Sequence, residues 1–151
     1  MKKLSIVSGG FDPVHSGHIE LFEKAKAIAD HLFVILNDDN FLVRKKGKPF
    51  MRYSEREIVV NALKPVDMVV GCIDTDNTVC KTLEWLHGIY KNKYDEIMFC
   101  NGGDRTSVEN TPEHKKCVDL GMEMVYGLGK KIQSSSSLAK NYQSDAGSLI
   151  F

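Results

Sequence analysis

The run Gly9-Gly10-Phe11-Asp12-Pro13-Val14-His15-Ser16-Gly17-His18 concentrates residues able to handle a phosphate. Gly9 and Gly10 end a short apolar run and let the backbone come close to a bulky ligand. His15 and His18, three apart at or just before a helix start, can point the same way. The helix start adds unpaired N–H groups and a partial positive charge. Strand end, glycine turn, paired imidazoles and helix start together describe an anion site with two side-chain donors for developing negative charge. The plainer alternative is a polar turn carrying two surface histidines. It has to explain residue identity, spacing and strand-to-helix context together.

Three further stretches carry candidate chemistry. Residues 37–49 hold the densest positive cluster of the chain, Arg44, Lys45, Lys46 and Lys48. Gly47 and Pro49 predict a loop here rather than a continuing helix. A cationic loop near strand ends suits a polyphosphate, which it could cover on binding, although taken alone it reads as solvated surface. Arg56 falls in the first turn of a predicted helix, where a cation opposes the dipole. That misfit calls for an anionic partner, either a carboxylate of the fold or a substrate phosphate. In Asn101-Gly102-Gly103-Asp104-Arg105, the glycines leave backbone groups open to read a base edge. Asp104 could bind an acceptor, a ribose hydroxyl or a magnesium-bound water, while Gly-Gly-Asp by itself is a common turn. The serines from Ser134 to Ser137, followed by Leu138-Ala139-Lys140, read as a capped helix start and a second anion site. A plain N-cap needs one serine and does not explain four.

These residues need a scaffold, and the apolar pattern predicts one. Runs of strand length recur at 4–7, 32–36, 68–70, 97–99 and 122–126, separated by helical segments at 19–29, 54–63, 78–90 and 112–120. The alternation, with the first four runs nearly continuous in apolar residues, argues for a Rossmann-like α/β domain. Its centre would be a parallel five-stranded sheet with helices on both faces. Ligands in such sheets lie beyond the carboxyl ends of the strands, where strand order reverses. Ser54 and Glu57 have capping-box spacing, Thr111 can cap a helix opened by Pro112, and Gly121 can close it.

The chain has 151 residues, so one domain spanning 1–151 is expected, with 144–151 as a C-terminal tail. Twenty basic and twenty acidic residues cancel, which removes any global pull toward nucleic acid or an anionic membrane. No apolar run reaches transmembrane length and the first is too short for a signal peptide, so a cytoplasmic protein is expected. Cys72, Cys80, Cys100 and Cys117 form no C-x-x-C pair and no zinc-ligand spacing, so free, mostly buried thiols and no protein-held metal are expected. The tail carries Leu149, Ile150 and Phe151, which can pack on the body or on a second subunit; a homodimer is expected.

The first motif resembles the signature G-x-F-D-x-x-H-x-G-H of the nucleotidyltransferase superfamily that includes the cytidylyltransferases. Gly9, Phe11, Asp12, His15, Gly17 and His18 all match it. In ungapped register Lys45 falls on a lysine of the family's loop, while Gly47 takes the place of a second, for which Lys46 or Lys48 would substitute. Asp39 falls on an acidic position after the second strand. Tyr53-Ser54-Glu55-Arg56 resembles the helix-opening segment, and Val66-Asp67 the step before the third strand. These features look most like the small cytidylyltransferases, including those acting on glycerol 3-phosphate. Gly102-Gly103-Asp104 is similar to heptose-phosphate nucleotidyltransferases. The serine step also looks like phosphopantetheine adenylyltransferases. Gly10 departs from the threonine or serine often found there, which removes a hydroxyl from the phosphate loop.

The resemblance implies transfer of a nucleotidyl group from a nucleoside triphosphate to a small phosphorylated acceptor, with CTP ahead of ATP. His15 and His18 would contact the phosphates, with His18 nearest the transferring group, and Lys45 or Lys46 would neutralise the triphosphate. Gly9, Gly10, Phe11, Gly17, Gly102, Gly103, Asp104, Ile132, Ser134, Ser135 and Ser136 would contact the nucleotide. Asp12, Asp39 and Arg56 would face the substrate. Magnesium would be carried by the nucleotide. The acceptor stays open among a sugar phosphate, a polyol phosphate and a phosphorylated amino alcohol. Competing readings are a nucleotide-binding regulatory module without turnover and a redox or metal protein built on the histidines and cysteines.

Overall fold

The computed structural model describes residues 1–102 and 111–128. Its elements, in chain order, are β1 (Lys3–Gly9), α1 (Ser16–Ala27), β2 (His31–Leu36), α2 (Asp39–Lys46) and α3 (Tyr53–Asn61). They continue with β3 (Met68–Gly71), α4 (Cys80–Tyr90), β4 (Glu96–Gly102), α5 (Pro112–Leu120) and β5 (Glu123–Leu128). The strands form one five-stranded sheet in the order β3-β2-β1-β4-β5, every pairing parallel. The expected α/β architecture is therefore present. The continuous apolar runs follow from burial of the central strands on both faces.

Each face has its own core. Phe22 and Ala25 of α1 and Val60 of α3 pack on Val7, Val34, Leu36 and Met98. Leu83 and Leu86 of α4 and Cys117 of α5 pack on Leu4, Ile6, Phe33, Ile35 and Phe99 on the other side. Fully burying a side chain such as Phe22 or Leu83 contributes roughly 1.5–3 kcal/mol. The chain runs outward from β1 to β3, then crosses to the other side of β1 to lay down β4 and β5. The reversal of strand order puts the loops after β1 and β4 on either side of one crevice.

Two local expectations are corrected. Residues 39–46, expected as part of a loop, form helix α2. Asp38 caps it by accepting from the Phe41 N–H at 2.8 Å. Gly47, at φ 87°, closes it with its N–H on the Val43 carbonyl. That glycine marks the end of a helix rather than its absence. The capping box of Ser54 and Glu57 is not formed: α3 begins at Tyr53, and its N-cap, Arg52, makes no side-chain cap. Glu57 instead takes a hydrogen bond from the Tyr53 hydroxyl, and that bond adds to burial in pushing the phenol up to about 12. Thr111, Pro112 and Gly121 do bound α5 as expected, with Gly121 in the left-handed region at φ 74°.

Gly102 has a structural reason of its own. A Cβ there would lie 2.5 Å from the Leu128 carbonyl oxygen, where the β4–β5 register shifts. Only glycine lets β5 approach this closely.

Candidate functional site

The anion site is built on how α1 begins. His15 is its N-cap, and its Nδ1 accepts from the Gly17 N–H at 3.1 Å. His18, one turn on, accepts the His15 N–H on its own Nδ1 at 3.2 Å. This is the reciprocal geometry of a capping box, with imidazoles in place of hydroxyl and carboxylate. The spacing of three residues is thus the spacing of N-cap and N3. Because both Nδ1 atoms accept, both neutral rings carry their proton on Nε2. The rings stack at 3.8 Å between centroids, 22° from parallel. The His15 Nε2 is buried without a partner among the described residues. The helix start therefore offers two Nε2–H donors, together with its own partial positive charge.

Phe11 is the pedestal of this arrangement. Its ring meets His18 edge-on at 4.9 Å and Phe22 at 5.0 Å. It lies under Gly9, where a Cβ would come within 2.8 Å of the ring. Phe11 adopts φ 48°, a region non-glycine residues rarely occupy. Such strain collects where the surroundings over-determine a conformation, commonly at functional sites. Gly10 in turn leaves room for Leu42 of α2, which a Cβ would meet at 2.8 Å.

Burial lowers the His15 pKa. His18 is lowered to about 4, first by burial and then by its neighbour His15. Both rings are neutral donors in the free protein at pH 7. The sign of the stability effect follows. As pH falls below about 6.5 the unfolded chain protonates His18 while the folded chain resists until about 4. The unfolded state then binds more protons, so stability falls across that window and is lowest below it. Urea titrations at pH 7 and pH 4.5 should show the drop, and a His18→Gln variant should show a shallower one. Equal slopes in both proteins would mean the ring is not desolvated.

Around this core the structure places the other expected residues unevenly. Asp12, expected to face the substrate, is buried at 1% exposure. Its carboxylate accepts from the Phe50 and Met51 N–H groups and pairs with Lys46 at 2.8 Å. Lys46 also donates to the Asp12 carbonyl oxygen. Lys45, one position earlier on α2, is exposed. Arg44 reaches instead to Asn77 and the Asp76 carbonyl.

Arg56 has no exposed surface at all. Its guanidinium donates to the carbonyls of Met51, Gly10 and Asn37 and to the Asp39 carboxylate at 2.8 Å. Of the two partners its position called for, the structure supplies the carboxylate of the fold. Asp39 and Arg56 thus brace the glycine turn from below. Gly103, Asp104, Ile132, Ser134, Ser135 and Ser136 lie outside the described residues, as do Lys130 and Lys131 before the serine run and the 144–151 tail.

Sequence reasoning missed the pedestal role of Phe11 and two polar groups at strand ends. The Asn37 Oδ1 and Asn101 Nδ2 are buried without partners among the described residues. Their only signal was an amide directly after an apolar run. Among the described residues no group of three or more His, Cys, Asp or Glu could hold a metal ion. The four cysteines are free, and burial pushes Cys100 up to about 11 and Cys117 up to about 12, far from a reactive thiolate. No helix among the described residues is long and apolar enough to cross a membrane.

Comparison with known proteins agrees with this geometry. A family model described as cytidylyltransferase-like matches residues 6–138. Glycerol-3-phosphate cytidylyltransferase of Bacillus subtilis (strain 168) is 39% identical over 70 residues, 46% of this chain and 54% of that protein. FAD synthase of Ferroglobus placidus is 43% identical over 70 residues, 46% of this chain and 45% of that protein. The chain thus spans about half the length of the curated relatives it matches. Among solved structures, the lipopolysaccharide core biosynthesis protein from Thermoplasma volcanium GSS1 superposes with a TM-score of 0.63 at 22% identity. That match covers 85% of this chain and 98% of the other, and it establishes the shared fold.

Proposed function

The chain belongs to the cytidylyltransferase-like family of nucleotidyltransferases, and from that premise we propose that it transfers CMP from CTP to a small phosphorylated acceptor with release of pyrophosphate. An oxygen of the acceptor's phosphate attacks the α-phosphorus and forms the new P–O bond. The bond from the α-phosphorus to the bridging oxygen breaks, and its electron pair leaves with pyrophosphate. The attacking oxygen is already anionic, so no general base is required. Catalysis is then in-line positioning and charge stabilisation.

The observation that carries this reading is the pair of Nε2–H donors at the start of α1. Neutral, preoriented donors can meet charge that grows on the phosphoryl oxygens without reorganising. Magnesium would arrive on the nucleotide's own phosphate oxygens. The groups offered here by His15 and His18 are N–H donors, which do not ligate a hard cation, and Asp12 and Asp39 are already paired with Lys46 and Arg56.

Calorimetric titration with CTP and ATP in magnesium, paired with a pyrophosphate-release assay, tests the proposal. A pocket built for one base leaves polar atoms unpaired around the other, so CTP should bind about tenfold or more tightly. Tighter ATP binding would reverse the base assignment, and the similarity to FAD synthase gives that alternative its footing. Equal weak binding with no pyrophosphate would leave a regulatory module.

The α2 cations separate by their contacts. Lys45→Ala should raise the KM for the triphosphate with little change in melting temperature, because the side chain is exposed. Lys46→Ala should lower turnover and also destabilise by roughly 1–3 kcal/mol, because it removes the cation from the buried Asp12 carboxylate. Steady-state kinetics and thermal melts read both effects. Wild-type kinetics in both variants would make the cluster a solvated surface.

A further inference from the structure

Helix α2 has eight residues, too few to be stable alone in water, so contacts with the rest of the chain set where it lies. Its one buried side chain is Leu42, 3% exposed, while Val43, Arg44 and Lys45 beside it are exposed. Among the described residues Leu42 joins neither core of the sheet. It is buried against the glycine turn instead. The three atoms nearest to a Cβ placed on Gly10 all belong to Leu42, at 2.8, 3.8 and 3.9 Å. Leu42 thus fills the notch that the missing side chain leaves, and a threonine or serine at position 10 would push it out.

A second contact lies one turn along the same face of the helix. Lys46 pairs with the Asp12 carboxylate at 2.8 Å and donates to the Asp12 carbonyl at 2.9 Å. Four residues of helix advance about 6 Å, and two residues of chain reach at most about 7 Å. Leu42 therefore sits on Gly10 while Lys46 sits on Asp12, with α2 lying along the turn. From the other side Arg56 holds the Gly10 carbonyl at 2.8 Å. Arg44 ties α2 outward, to the Asn77 Oδ1 at 3.2 Å and the Asp76 carbonyl at 3.0 Å. All of these contacts are made within the chain, so none needs a ligand to form. Asp12 neutralises Lys46 and Arg44 is turned away, which leaves Lys45 as the cation of that turn without an ion-pair partner among the described residues.

We propose that Leu42 in the Gly10 notch is a positioning residue: it seats α2 along the phosphate turn, so that Lys45 is held in place for the triphosphate rather than swung in on binding. This rests on the nucleotidyl-transfer reading, which supplies the triphosphate. Lys45 stands three residues after Leu42, at the edge of the seated face, so a shift of the knob moves the cation with it.

The test uses the full chain, with CTP and ATP in magnesium as calorimetric probes. Gly10→Val adds three carbons where Leu42 sits, and Leu42→Ala removes three. Each single variant should raise the Kd of the preferred nucleotide about tenfold, because α2 is then seated for a smaller fraction of the time. The double variant should recover most of that loss. Effects that multiply in the double variant would mean that the two residues act separately, and would overturn the proposal. Lys45→Ala should raise the Kd in wild type but change it less than about twofold in the Leu42→Ala background. A full Lys45 effect in that background, or none in wild type, would equally overturn it. Gly10→Ala and Leu42→Val, which move one carbon in the same senses, serve if the larger changes prevent folding. Hydrogen exchange over residues 39–46 separates the seat from its premise. These amides should exchange about tenfold faster in nucleotide-free Leu42→Ala than in wild type, with α1 unchanged, and the double variant should be slow again. If exchange behaves so while wild type binds neither nucleotide, the seat stands and the nucleotidyl-transfer reading falls. If wild type binds nucleotide and the single variants match it in both Kd and exchange, the seat falls and the reading stands.

Discussion

Replacing His18 with alanine is expected to lower turnover by about a hundredfold or more in a protein that still folds. The ring is held from three sides: it stacks on His15, rests edge-on against Phe11, and accepts the His15 N–H. That support leaves its Nε2–H oriented before any substrate arrives. A donor so placed contributes most where charge develops, so the loss should fall on kcat rather than on nucleotide affinity. His18→Gln keeps an amide N–H at a similar reach and should recover part of the rate. Pyrophosphate release at saturating substrate measures the effect. Near-wild-type kcat in a folded His18→Ala variant would remove the imidazole pair from the mechanism.

Arg56→Ala is expected to destabilise the fold by about 3–5 kcal/mol, the largest stability effect of any single substitution considered. The side chain is fully buried and serves three backbone carbonyls and one carboxylate. Truncation strands all of them at once. One of those carbonyls belongs to Gly10, so the phosphate turn loses its brace as well. Arg56→Lys keeps the charge but cannot reproduce the guanidinium fork, and should lie between the two. Urea denaturation gives the free energies. A loss below about 1 kcal/mol would mean the network is not structural, and would reopen a substrate role for this arginine.

Much of the fold was legible because it is written in local pattern. Apolar runs near continuity report strands buried on two faces, and their alternation with helical periodicity implies parallel crossovers. The loop expected over 39–46 shows the limit of punctuation. Gly47 punctuates the sequence as a break, yet its positive φ and its N–H on Val43 close a helix. The Ser54 and Glu57 spacing failed for a related reason. Glu57 had a second available partner, Tyr53, one turn back on the same helix.

By itself the sequence determined the histidine site, because a helix N-cap and its N3 position are three residues apart in any fold that starts a helix there. The spacing and the geometry are one fact. Only the tertiary structure decided what Arg56 and Asp12 do. Arg56 finds Asp39 across 17 residues, and Lys46 finds Asp12 across 34. Such pairings depend on how the sheet assembles, and burial then sets their strength, since it removes the water that would otherwise satisfy each charge and amide.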